Sequence, residues 1–269
     1  MKITIPIFRH SVFLYGLIVL LTFIPFSLSA QNRCFSFGIR YGINYSKISN
    51  QPDIAGIPLE DFTNFNLTSN EAWLNTKIDF RTTYSLGGYL EYHFNNEYSV
   101  IFEIKYSNKG AIFNGQFFSP IILNGFTLNS LIKINTTIKL SYYSFPVLLK
   151  YVLPVRHKLH PYIILGPELS YIAKAETGKI NWKHITWNPD NPKNKNMFET
   201  PSENLERYTE EIEYVITIGG GFIYYSMGRD IILDGRYCIG VSNINKIARK
   251  DILSNMISLS IGISIFNYE

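Results

Sequence analysis

Eleven ionisable residues of this chain fall on the polar phase of segments in which large apolar residues alternate with small or polar ones. Five are basic (Arg40, Lys105, Lys139, Lys150, Arg236) and six acidic (Glu91, Glu103, Glu168, Glu211, Glu213, Asp234). Charges of both signs, nearly balanced on one face, suit two kinds of chemistry. One is a network of ion pairs that fills an interior, because a charge out of water without a partner is costly. The other is a path for ions or protons. The balance favours the interior network, a salt-bridged plug.

Other chemistry is poorly supplied. Of five histidines, His10 lies in the N-terminal apolar region, and His93, His157 and His160 lie near short turns. His184 alone sits in a long connection, near Ser170, Asp190 and Ser202 in sequence only. A catalytic triad is a matter of geometry and not of sequence proximity, so no catalytic residue is assigned. No glycine-rich phosphate loop and no Cys/His ligand spacing occurs, so no cofactor and no metal are expected. Cys34 opens one segment and Cys238 lies in the middle of another. A bridge needs Cα atoms within about 7 Å, so the two are expected to remain separate thiols. All three tryptophans, Trp73, Trp182 and Trp187, lie in long connections. Trp182, Lys183, His184 and Trp187 read either as aromatics resting on a membrane rim or as a recognition patch. Such a patch would suit an anionic glycan, lipopolysaccharide or a protein partner.

The elements that must position these residues are strands. Residues 35–47 place Phe35, Phe37, Ile39, Tyr41, Ile43 and Tyr45 on one face, and Ser36, Gly38, Arg40, Gly42, Asn44 and Ser46 on the other. Side chains of a strand point alternately to opposite faces, so one face is greasy and the other wet. The pattern recurs at about 82–94, 98–108, 137–151, 161–173, 211–225, 230–242 and 253–266, making eight strands. Connections alternate between short (about 95–97, 152–160 and 226–229) and long (about 48–81, 109–136, 174–210 and 243–252). Strands of about 9–11 residues, with short periplasmic turns and long outer loops, describe an outer-membrane barrel. A soluble sandwich or lipocalin also alternates, but would turn its apolar face inward. Here the polar face is rich in Gly and Ser, which suits the crowded inside of a narrow barrel. Pro146 falls inside an apparent strand, where a bulge is expected.

Composition agrees. The chain is 46% apolar and 15% aromatic, with 19 Tyr and 19 Phe, which fits aromatic girdles. Lys2, Arg9 and His10, the apolar stretch Ser11 to Phe26 and the exit Ser27-Leu28-Ser29-Ala30 read as a secretory signal over residues 1–30. Its removal takes Lys2 and Arg9 away and leaves 23 basic against 21 acidic residues, which is no nucleic-acid footprint. The remainder, 31–269, suits one barrel with loops.

Four segments stand out: Tyr142-Tyr143-Ser144-Phe145-Pro146-Val147-Leu148-Leu149-Lys150-Tyr151, Pro161-Tyr162 with Gly166-Pro167-Glu168, Asp234 to Ile244, and Gly38 with Gly42 to Ser46. Together they resemble the strands of PorT-like outer-membrane β-barrels of the Bacteroidetes. The likeness covers 35–266, loops excepted. Ser144 stands where that family usually has an acid, and Phe266 is out of phase with Ile265. The resemblance implies an integral outer-membrane scaffold with mixed roles, some of them secretion-linked. The expectation is therefore an all-β, eight-stranded antiparallel transmembrane up-and-down barrel. It would be non-enzymatic, in contact with outer-membrane lipid and lipopolysaccharide, with protein partners unspecified. A secretion or transport component and a lipid-modifying enzyme are the alternatives.

Overall fold

The computed structural model describes residues 35–49, 73–123, 126–155, 158–186, 195–202, 204–206, 209–226, 229–244, 246 and 252–268. The expected signal, Cys34 and Trp187 lie outside these residues. Ten strands follow in order: β1 (Phe35–Ser49), β2 (Trp73–His93), β3 (Tyr98–Leu123), β4 (Phe126–Val152), β5 (Leu159–Thr177), β6 (Ile180–Thr186), β7 (Lys195–Thr200), β8 (Ile212–Ser226), β9 (Arg229–Gly240) and β10 (Leu253–Tyr268). Eight of them close a ring. β1 pairs antiparallel with both β2 and β10, and the circuit runs through β3, β4, β5, β8 and β9. Closure leaves the ring without an edge, so every wall strand has a neighbour on each side.

Alternation decides what faces out. Along β9 exposed and buried residues alternate over most of the strand, with Ile231, Leu233, Tyr237 and Ile239 outside and Asp234, Arg236 and Cys238 inside. The same split runs along β1, where the outward apolar residues are about half exposed. Aromatic residues gather at two levels. Phe35, Tyr98, Tyr224 and Phe266 ring the end with short turns, and Tyr98 stacks 4.8 Å from Tyr151. Tyr45, Tyr84, Tyr143 and Tyr171 ring the end with long connections, where Tyr106 lies 5.6 Å from Tyr143. Ten strand steps separate Phe35 from Tyr45. At about 3.3 Å per step and the usual tilt, this spans roughly the 25 Å apolar band of such barrels.

Three details differ from expectation. The register holds across Pro146, where a bulge was expected. The pairing with β3 lapses between Phe102/Val147 and Lys105/Ser144 and resumes unshifted. The strand thus passes the missing N–H by omitting ladder bonds and inserts no residue. Bulges lie elsewhere. Phe37 pairs with Phe266 and Gly38 with Ser264, so Ile265 is the extra residue, and Ile265 and Phe266 are both exposed. This bulge explains the two consecutive large residues that broke the alternation. A second extra residue, Ala173, separates the pairs Ser141/Lys174 and Tyr142/Ile172.

The third difference concerns the long connections, much of which are strand. The segment 109–136 is mostly the far half of the β3–β4 hairpin, paired as far as Leu123 and Phe126. β2 begins at Trp73 and runs beside Phe117 to Ala111. The β6–β7 hairpin joins β4 through Asn181–Thr186 on Ser130–Asn135. A five-stranded sheet therefore prolongs the wall beyond the second aromatic ring. At Gly110 the chain takes φ 141°, and a Cβ there would meet the Ile138 carbonyl. Only glycine accommodates this kink, which lies where β2 and β3 shift register.

The faces are separable by experiment. Ile218 is exposed, while Thr217 is fully buried and donates to Glu168 at 3.0 Å. Arginine at a lipid-facing midplane costs about 2–4 kcal/mol. Ile218→Arg should lower stability by that amount in refolding into vesicles, and Thr217→Ser, which keeps the hydroxyl, should be nearly silent.

Candidate functional site: a charged lumen

Eight strands enclose an interior just wide enough for side chains to fill. Glycine makes the room for the charged ones. Lys105 and Arg40 both face Gly87, Arg236 faces Gly219, and Asp234 faces Gly221. A Cβ on Gly221 would sit 2.8 Å from that of Asp234.

The charges form four groups. Nearest the short turns, Lys150 and the Ser99 hydroxyl each donate to Glu91 at 2.5 Å, and His93 lies 3.7 Å from the same carboxylate. Next, Glu103 takes hydrogen bonds from Arg40 and from both terminal nitrogens of Arg236, the latter at 2.7 and 2.8 Å. Asp234 joins this group, bonded by Arg236 at 3.1 Å, by the Tyr162 hydroxyl at 2.9 Å and by Ser260 at 2.5 Å. In the third group Lys105 meets Glu168 at 2.9 Å, and Thr217 and Ser170 also donate to Glu168. In the fourth, Lys109 meets Glu213 at 3.0 Å, lies 4.4 Å above the Tyr142 ring, and shares Glu213 with Ser254.

Apolar side chains pack among the charges in one half of the barrel and cover them in the other. Tyr89, Ile101, Leu148, Val152, Ile164, Ile223 and Ile232 cluster in the short-turn half. Ile48, Ala111, Leu140, Ile172, Ala175, Ile244 and Ile252 close the other mouth, with Ile78, Ile138 and Leu205 packed against them. Backbone bonds from Leu205 and Ile244 lie beside this mouth. Leu205 N–H donates to Ala175 O at 2.9 Å, and Ile244 N–H to Ile252 O at 3.0 Å. A small cavity beside Arg40, Glu103, Lys105 and Arg236 measures about 20 Å³, room for roughly one water.

Nine of the eleven expected lumen charges meet in this interior. Two do not. Lys139 points outward, because Tyr142 rather than Tyr143 is buried and sets the phase of β4. It lies 3.9 Å from Glu176, beside Lys174, which reaches Glu176 at 2.7 Å. The hydrogen bond from Lys174 holds the Glu176 carboxyl below its usual range. Glu211 is exposed, one residue ahead of β8 and past the mouth, where its carbonyl accepts from Ile172 N–H at 2.7 Å. Lys109 and Asp230 are buried, inward charges outside the expected set. The run Glu103, Lys105, Ser107, Lys109 keeps one parity, which was the available signal.

The expected recognition patch falls on β6 for Trp182, Lys183 and His184, whose backbones pair with β4 and β7. Their side chains, and all of Trp187, lie outside the described residues. Ser170, the hydroxyl considered beside His184, is buried in the lumen against Ser144 and Glu168. Cys238 is a buried free thiol near Thr217. Among the described residues no group of three or more His, Cys, Asp or Glu is placed to hold a metal.

A family model described as outer membrane protein beta-barrel domain matches residues 29–246. The chain belongs to that family. It is an outer-membrane β-barrel. No curated protein matches it. Several solved structures are similar at low identity. Neisserial surface protein A is 12% identical with a TM-score of 0.39, over 86% of this chain and 99% of that one. Ail of Yersinia pestis, solved with the heparin analogue sucrose octasulfate, is 14% identical with a TM-score of 0.35, over 86% and 99%. OprG from Pseudomonas aeruginosa is 13% identical with a TM-score of 0.34, over 87% and 96%.

For this outer-membrane barrel the ion pairs are a matter of stability. Removing one partner of a buried pair strands the other and costs about 3–5 kcal/mol, whereas replacing both by apolar residues is often neutral. Glu168→Leu should therefore destabilise the barrel strongly in urea titrations in vesicles. Lys105→Met combined with Glu168→Leu should recover most of the loss.

Proposed function

We propose that the protein is a non-conducting, non-enzymatic scaffold that holds a β-sheet above the bacterial outer membrane for contact with partners. One observation carries this reading. The lumen is filled by paired charges and packed apolar side chains, with an apolar cluster over the long-connection mouth, so the polypeptide invests its interior in rigidity and its long connections in ordered sheet. Loops and their extensions are where a rigid frame places recognition.

The finer parts of the reading follow from the sequence. A signal over residues 1–30 exports the chain. Short turns then lie in the periplasm and the five-stranded extension outside the cell, as is usual for such barrels. The PorT-like segments make the Bacteroidetes members a natural source of comparison, with contact to lipopolysaccharide at the rim. The patch on β6 would then be displayed by a strand, with less entropy lost on binding than from a loose loop.

Two measurements test this. Reconstituted in planar bilayers, the protein should show no stable steady conductance, and large persistent channels would refute the plug. In a Cys34→Ser background, Ser202→Cys, at an exposed position just past β7, should react with an impermeant maleimide on intact cells. Asn96→Cys should react only after lysis. The reverse pattern would invert the topology.

A further inference from the structure

The outward face of β3, β4 and β5 changes character abruptly above the second aromatic ring. Tyr106, Tyr143 and Tyr171 lie side by side in register, on the face that meets lipid. One step further the same three strands carry Asn108, Ser141 and Lys174, and Ser141 donates to the Asn108 side chain at 2.9 Å. One step beyond that lie Lys139 and Glu176. Strict alternation from Tyr171 would send Lys174 into the lumen. The extra residue Ala173 turns it outward instead and places Ala175 in the apolar seal. Bulges re-aim side chains in this way.

The result is a shelf. Lys139 and Lys174 hold opposite oxygens of one carboxylate, directly above a tyrosine floor. The carboxylate does not neutralise the shelf. One carboxylate meets two ammonium groups at the shelf, and a single negative charge balances only one of them. Lys174 is 60% exposed and Lys139 42%, so both ammonium groups remain open to a ligand.

We propose that this shelf binds the phosphate of a phosphorylated glycolipid of the outer leaflet, with Lys139 and Lys174 on the phosphate. Ser141 and Asn108 supply a hydroxyl and an amide for sugar hydroxyls. The tyrosines lie under the sugar and the start of the acyl chains. The position selects a membrane lipid over a soluble anion, because the shelf faces the bilayer at the aromatic interface and not the lumen. The inference rests on the outward orientation of the long-connection end.

The test uses the folded barrel in phosphatidylcholine nanodiscs, with heat-modifiable gel mobility confirming insertion. A bis-phosphorylated lipid A-type glycolipid and its dephosphorylated form are added in turn, and retention is read by native mass spectrometry. Basic side chains at a membrane surface attract anionic headgroups, so retention of the phosphorylated form should exceed the other by on the order of tenfold. Lys139→Gln with Lys174→Gln should remove the preference, Lys174→Arg should keep it, and Lys77→Gln, on exposed Lys77 paired with Asp79, should leave it unchanged. Equal retention of the two lipids by the unaltered protein, or an undiminished preference in the double variant, would overturn the proposal. So would full displacement of the glycolipid by millimolar inorganic phosphate, which would make this a free-anion site. Failure of the unaltered chain to insert would count against the barrel reading itself.

Discussion

In hydrocarbon each unpaired backbone amide or carbonyl costs several kcal/mol, so a strand that enters the bilayer must be paired on both sides. The bond between β1 and β10 meets that demand, and the rest of the molecule depends on it. A ring of eight has room inside for side chains and for little water. The inward face is therefore an interior. Charges placed there must meet one another, and Arg40, Glu103, Asp234 and Arg236 do so from three different strands. Closing the wall and pairing the charges are thus one requirement seen from two sides.

The distribution of these charges argues against a path. Transport along a lumen needs sites that exchange partners, whereas here each carboxylate is held by two or more donors. Glu168 alone takes bonds from Lys105, Thr217 and Ser170. An apolar cluster closes the long-connection mouth, and in the short-turn half apolar side chains pack between the charged groups. Such buried pairs also penalise misregister, since a strand slipped by one residue would send its own charges into lipid and strand their partners.

Much of this was legible in the chain, because the bilayer reverses the usual burial rule in a way that alternation records directly. Phe35 to Tyr45 faces lipid as read, and the eight wall strands stand where the pattern put them. The misreadings cluster where alternation loses meaning. Tyr143 faces lipid as read, but near Ser141 small and polar residues blur the phase, and Lys139, which shares the parity of Tyr143, was placed inside. Glu211 keeps the right parity but lies past the end of its strand. The bulges at Ile265 and Ala173 come from backbone pairing with a neighbour, which no single strand records. The sheet beyond the membrane was read as loop because in water neither face must be uniformly apolar, so its period is diluted.

That extension is more than a continuation of the wall. Its buried positions, Ala111, Phe113 and Ile134, lie on one face, and Ala111 belongs to the cluster that closes the mouth. Its other face carries a polar row in which Lys77 meets Asp79, Asn114 donates to Asp79 and Asn135 donates to Asn114. The residues that shut the lumen and those that face the surroundings alternate along the same strands. A partner bound to the polar row would therefore press on a surface whose other side is packed into the barrel. Such a surface resists deformation and loses little conformational freedom on binding. A plugged interior and a stiff outer sheet are, in this fold, consequences of the same strands running on past the membrane.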